Sequence, residues 1–306
     1  MKATRESTGN TLFAGGRYRL AMGLAPLDKQ EWLAPDAMLG EKLAEKRDLL
    51  ATRHGEVLRA LPEADSASLE LLQLLAAHLP HCYPAAYQRI GGRLVNRATD
   101  EVWDIAAPPL HPLDLAGRLV EEDLCLMHAD DQGYRLVGAS LCAPNRWHLD
   151  EKLGRPLAEI HAPVPNYAPT LDRPVAHFFA ALKPGRILGR VNWGIADDPA
   201  RFQPEGRAVD SGIDAASAGR ALWLRLERQS LRRLPETGAV LFAIRTEITR
   251  LDCVIRSRAD AADLAGAIRD MSPAMRRYKH LATVAPALLA WLDARSHSAD
   301  IEREIV

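Results

Sequence analysis

The chain has 306 residues, with 39 Lys+Arg against 40 Asp+Glu, so it can bury a substantial core and carries no net field that would draw it to nucleic acid or an anionic membrane. Its best apolar stretch, Leu281 to Leu292, contains Pro286 and is well short of the roughly 20 residues that span a bilayer; with a polar N-terminus besides, the expectation is a soluble, cytoplasmic protein. The four cysteines, Cys82, Cys125, Cys142 and Cys253, make no Cys-x-x-Cys pair, which argues against a zinc, iron–sulfur or dithiol centre in this chain.

From Pro35 to Leu61, apolar residues recur at helical spacing among charges (Leu39, Leu43, Leu49, Leu50, Val57, Leu58) and Pro62 follows, which predicts one or two amphipathic helices. A second helix is expected to open near Asp65 or Ser66 and to end before Pro80. The pattern changes at Glu122. Asp123 to His128 and Tyr134 to Cys142 are apolar runs separated by Ala129-Asp130-Asp131-Gln132-Gly133, the pattern of a hairpin with a five-residue loop. Pro144 to Arg186 is proline-rich with short helical patterns, of which Val175 to Leu182 is the clearest. Three strands are then expected, over Ile187–Ile195, Ala221–Leu234 and Ala239–Leu251, the last two joined by the turn Pro235-Glu236-Thr237-Gly238. Helices return over Ala261–Met271 and Leu281–Leu292.

Two strands, a stretch of short helices and three further strands predict an α+β module: a five-stranded antiparallel sheet with helices on one face. This is the order of a PAS domain, although other folds share it. The expected division is a helical N-terminal region (1–120), a PAS-like core (121–256) and a helical C-terminal extension (257–306).

Several segments carry a family resemblance: Glu31-Trp32-Leu33-Ala34-Pro35-Asp36, Glu122-Asp123-Leu124-Cys125-Leu126, Cys142-Ala143-Pro144-Asn145-Arg146-Trp147, Lys152-Leu153-Gly154, Ile160-His161-Ala162-Pro163-Val164-Pro165, Arg190-Val191-Asn192-Trp193, Leu226 through Pro235, and Phe242-Ala243-Ile244-Arg245. In order and spacing they resemble the haem-dependent oxidative N-demethylase alpha-subunit family. The resemblance implies a PAS-fold subunit that holds haem b and uses oxygen to remove a methyl group from a small secondary amine such as dimethylamine. It also implies reductase-type partner subunits carrying FMN and a 2Fe–2S cluster, and tetrahydrofolate as acceptor of the one-carbon unit. This chain has no Gly-x-Gly-x-x-Gly and no cysteine cluster, so those cofactors are expected on partners only. The competing readings are a haem-based gas or redox sensor and a haem-free PAS-like module. Oligomerisation through the helical extensions is left open.

A haem iron needs one strong protein ligand, and neutral imidazole serves. His161, followed by Pro163 and Pro165, is the expected ligand of the metal, with a histidine packed in an ordered loop as the alternative. His177, on the helix before the third strand, is its rival. Cys142 reads as a small buried apolar residue rather than a thiolate, and His111 has no supporting context.

Strand alternation sets Arg225, Glu227 and Gln229 on one face and Leu226, Arg228 and Ser230 on the other. Arg228, in apolar company, is expected to pair a haem propionate or an internal carboxylate; the alternative is a salt-bridge lattice of Glu227 with the arginines of this strand on an exposed sheet face. Arg190 and Asn192 share a face, as do Val191 and Trp193. Arg190, Asn192 and Glu227 are the candidate catalytic residues; Trp193 is a candidate cofactor-side or amine-flanking ring, or a core filler.

Overall fold

The computed structural model describes residues 13, 15–131, 133–206 and 212–298. Among them are ten strands: β1 (Ala25–Pro26), β2 (Leu58–Ala60), β3 (Tyr87–Ile90), β4 (Arg93–Asn96), β5 (Glu101–Asp104), β6 (Asp123–Asp130), β7 (Gly133–Ser140), β8 (Ile187–Ala196), β9 (Trp223–Arg233) and β10 (Val240–Arg250). The longer helices are α1 (Leu39–Thr52), α2 (Asp65–Cys82), α3 (Pro112–Leu119), α4 (Arg173–Ala181), α5 (Arg258–Asp270), α6 (Pro273–Tyr278) and α7 (Ala285–His297). None is long and apolar enough to cross a membrane.

The main sheet is antiparallel and ordered β1-β8-β9-β10-β6-β7-β2. It therefore has seven strands where five are expected. The five long strands lie where the apolar runs put them; the additions, β1 on β8 and β2 on β7, are edge strands of two and three residues, too short to show a period of two in sequence. The β6–β7 hairpin is tighter than its composition suggests, because pairing continues inward to Asp130–Gly133; Gln132 lies outside the described residues. At the β9–β10 turn Gly238 takes φ 72°, a conformation open to glycine at little cost.

The N-terminal region is not purely helical. It contains a separate three-stranded sheet, β3-β4-β5, whose Gly91-Gly92 turn between two short alternating runs was the legible hairpin signal. Helix α2 runs through Pro80 to Cys82 instead of ending before it: this late in the last turn, proline removes only one helical hydrogen bond.

Both faces of the main sheet are covered, so the expectation of helices on one face holds only for the short helices between β7 and β8. On the front, Cys125, Met127, Leu231 and Val240 pack with Ile160, Val175, Phe178 and Phe179 from those helices. On the back, Leu124, Leu126, Leu241 and Ala243 pack under α1, α2 and α3. Further along the same back face, Trp193, Ile195, Leu224 and Leu226 pack under α5 and α7. The alternation of neighbours between these clusters is the two-residue period of the strands made physical.

Polar clamps fix the back layer. The indole of Trp32, fully buried, donates to Ser230 Oγ at 3.2 Å and lies under the Arg232 guanidinium. Arg245 on β10 pairs with Glu122 at 2.7 Å, while Lys46 Nζ donates to the carbonyls of Val120 and Glu122. The buried Glu70 carboxylate of α2 accepts from the amides of Glu236 and Thr237, both at 2.8 Å, and from Thr237 Oγ1 at 2.6 Å. Three charge-assisted bonds on one buried carboxylate make Glu70→Ala costly: we expect a loss of about 2–4 kcal/mol in urea unfolding, with Glu70→Gln in between. A variant as stable as the wild type would show that the turn does not depend on this clamp.

Candidate functional site

The register of β8 on β9 pairs Arg190 with Gln229 and Asn192 with Glu227. These four residues share the front face with Leu188, Leu231 and Phe242, which pack against the helices between β7 and β8. The sequence thus brings a polar patch and an apolar wall to the same surface.

Glu227 is the centre of the patch. Its Oε2 accepts from Asn192 Nδ2 at 3.2 Å and Gln229 Nε2 at 3.0 Å, and its Oε1 from Arg225 Nε at 3.3 Å. Burial alone would raise its pKa, but the Arg225 guanidinium, the Asn192 bond and nearby Lys279 hold the carboxyl below the usual range, so it is ionised. Arg225, itself only 2% exposed, also donates to the carbonyls of Ala143 and Arg201. It ties the loops after β7 and β8 to the strand that carries Glu227.

His161 caps a helical turn, Leu157–Ile160, and its Nδ1 lies 2.8 Å from the carbonyl oxygen of Leu157. A carbonyl only accepts, so Nδ1 carries the proton and Nε2 holds a free lone pair. Burial pushes the imidazole pKa down, with the positive charges of Lys152 and Arg190 contributing after a compensating bond to Leu157. The ring of Tyr167 stacks on His161, centroids 4.6 Å apart and planes 10° apart. A neutral imidazole with a fixed tautomer, oriented by a backbone carbonyl, is the state a metal ligand needs. Among the described residues no group of three or more His, Cys, Asp or Glu comes together, but a haem iron requires only one such ligand.

The patch holds more cations than anions. Lys152 Nζ lies 3.7 Å over the Trp147 ring, with its pKa lowered by burial to about 8. Lys279, just beyond α6, donates to the Trp193 carbonyl at 2.6 Å, on β8 past the stretch that β1 covers. Burial lowers its pKa to about 8, against the pull of Glu227. Among the described residues the buried Nε of Arg190 has no hydrogen-bond partner, and burial depresses its pKa as well. The Tyr167 hydroxyl is a second orphaned buried group. Unpaired buried donors and cations beside a free imidazole fit an anionic, metal-bearing ligand such as haem.

The remaining sequence candidates lie elsewhere. Arg228 points to the back face, is 42% exposed on its side chain and pairs with Glu247 at 3.3 Å; its apolar neighbours in sequence are not its neighbours at mid-sheet, where the back face lies open between the two helical layers. The expected lattice with Glu227 is made by Arg225 instead. Trp193 is also on the back, edge-on to Phe13 at 5.3 Å and packed in the C-terminal core. His177 is exposed on α4. The Cys142 thiol is pushed up to about 12 by burial, while its amide donates to Asp123 at 2.7 Å. His111 caps α3. Sequence reading gave no role to Lys152, although it stands in a matched segment, and none to Tyr167, Gln229 or Lys279. Lys279 had no signal at all, since a charged residue between two helices reads as solvated surface.

The two lysines set a testable pH dependence. An unfolded lysine titrates near 10.4, above the folded values of about 8, so between about pH 8 and about pH 10 the unfolded chain binds more protons. Their unfavourable contribution is full below pH 8 and is relieved as pH rises. The stability advantage of Lys152→Met/Lys279→Met over wild type should therefore be largest near pH 7 and shrink towards pH 10 in denaturant titrations. A difference independent of pH would contradict the burial of these charges. Over residues 23–289 the chain matches the family described as haem-dependent oxidative N-demethylase, alpha subunit-like, and it belongs to that family.

Proposed function

We propose that this chain is the haem-holding subunit of an oxygen-dependent N-demethylase acting on a small secondary amine such as dimethylamine, with His161 as the residue that would hold the iron of haem b. The observation that carries the reading is the state of His161: half-buried, neutral, protonated on Nδ1 by its bond to Leu157, and free at Nε2 among the described residues. The five long strands, with helices between β7 and β8, support a PAS-like core over 121–256, with 1–120 and 257–306 as covers, though β1 and β2 bind the N-terminal part into the same sheet. The subunit in the family's name supports partners; FMN, 2Fe–2S and tetrahydrofolate belong to them in this reading. Four free cysteines support a reducing, cytoplasmic setting.

Bound at this face, haem iron would supply the oxygen site and the electron transfer that oxidation of an N-methyl carbon requires. The chain's own residues do the rest. His161 presents its lone pair in a direction fixed by Leu157 and by stacking on Tyr167. Glu227, ionised and anchored by Arg225, pairs with the charge of a protonated amine and orients its N–H groups. Asn192 and Gln229 hold that carboxylate in place, and Arg190 offers a hydrogen bond from the same face. The apolar wall of Leu188, Leu231 and Phe242 excludes water from the reacting methyl group.

Spectra of the protein loaded with haem, taken oxidised, reduced and with carbon monoxide, test this. Wild type should show a Soret band that shifts on reduction; His161→Ala should alter or lose it, and His177→Ala should leave it unchanged. Glu227→Gln should keep the haem spectrum and lose the change induced by dimethylamine. A wild-type protein that takes up no haem would overturn the reading.

A further inference from the structure

Lys152, Arg190 and Lys279 come from three separate parts of the chain, the loop after β7, strand β8 and the turn after α6. Arg190 lies on the face of β8 that Glu227 occupies on β9, and, together with Glu151 on Lys152, the half-buried Glu227 carboxylate acts on all three. That carboxylate already accepts from Asn192, Gln229 and Arg225. Among the described residues none of the three cations has an ion pair: Lys152 has only the Trp147 ring, Lys279 a backbone carbonyl and the rings of Trp193 and Tyr18, and Arg190 no partner on its buried Nε. With Arg225 the patch holds four cationic side chains, against the carboxylates of Glu227 and the buried Asp123, with Glu151 beside Lys152. Such an arrangement opposes folding unless it serves to recognise negative charge.

We propose that Lys152, Arg190 and Lys279 recognise the two carboxylates of a porphyrin on the front face, the role that sequence alone assigned to Arg228. The inference rests on the haem reading and adds to it the residues that bind the periphery of the ring. It makes the C-terminal extension part of the binding site, because Lys279 arrives from there. The apolar wall beside the patch takes the ring, and the cations take the acids. Lys279 is tethered to the Trp193 carbonyl at the edge of β8.

Protoporphyrin IX separates this role from iron ligation, since it has both carboxylates and no metal for His161 to bind. Its affinity for the haem-free protein, read by porphyrin fluorescence, is compared with that of its dimethyl ester. Wild type should prefer the diacid by about a hundredfold, and Lys152→Met, Arg190→Met and Lys279→Met should each reduce that preference about tenfold. The same Lys279→Met protein should melt at a higher temperature than wild type without ligand, a gain that a purely structural lysine would not show. Equal affinity for diacid and diester, beside a haem spectrum that depends on His161, overturns this proposal alone. Failure to bind either porphyrin overturns it together with the haem reading.

Discussion

A carboxylate in the middle of a sheet is stable as an anion only if the protein replaces its water, and here Arg225 does most of that. Its guanidinium is fully inside, bonded to Glu227 on its own strand and to carbonyls of two loops. Removing Arg225 would take from Glu227 the cation hydrogen-bonded to it, a defect of up to about 3–5 kcal/mol in comparable buried pairs. The same bonds fix where the loops leave β7 and β8, and those loops and strands carry Trp147, Lys152, Arg190 and Asn192. The geometry of the candidate site therefore follows from one ion pair in β9.

The segments that carry the family resemblance divide into two physical groups. Glu122, Asp123, Arg245 and Trp32 are scaffolding: Glu122 pairs Arg245 across β6 and β10, Asp123 accepts from the amides of Cys142 and Ala143, and Trp32 pins the N-terminal segment to β9. Arg146 belongs with them, pairing Asp197 at 3.2 Å inside the protein. His161, Lys152 and Arg190 have no comparable ion pair among the described residues. They face one surface, and the buried Nε of Arg190 has no hydrogen-bond partner among the described residues.

Long strands were legible because their apolar runs and turns agree: Asp123 to His128 with its hairpin partner, and Pro235 to Gly238 between two eleven-residue strands. Alternation also placed Arg190, Asn192 and Glu227 on shared faces, which the cross-strand register bears out. What failed was non-local. Whether the residues flanking Arg228 in sequence also cover it in space depends on where the N- and C-terminal helices stop, and they leave Val191, opposite Arg228, 41% exposed. Lys279 is brought to Glu227 by the path of α5 and α6, which no local pattern encodes. The edge strands β1 and β2 are too short to announce themselves.

The central claim is that His161 Nε2 is the protein's bond to iron, and replacing that bond from solution tests it most directly. His161→Gly, loaded with haem and reduced, should lose the wild-type spectrum and regain it when imidazole is added to fill the place of the missing ring. A His161→Gly protein whose spectrum matches wild type without imidazole would place the ligand elsewhere and contradict the account.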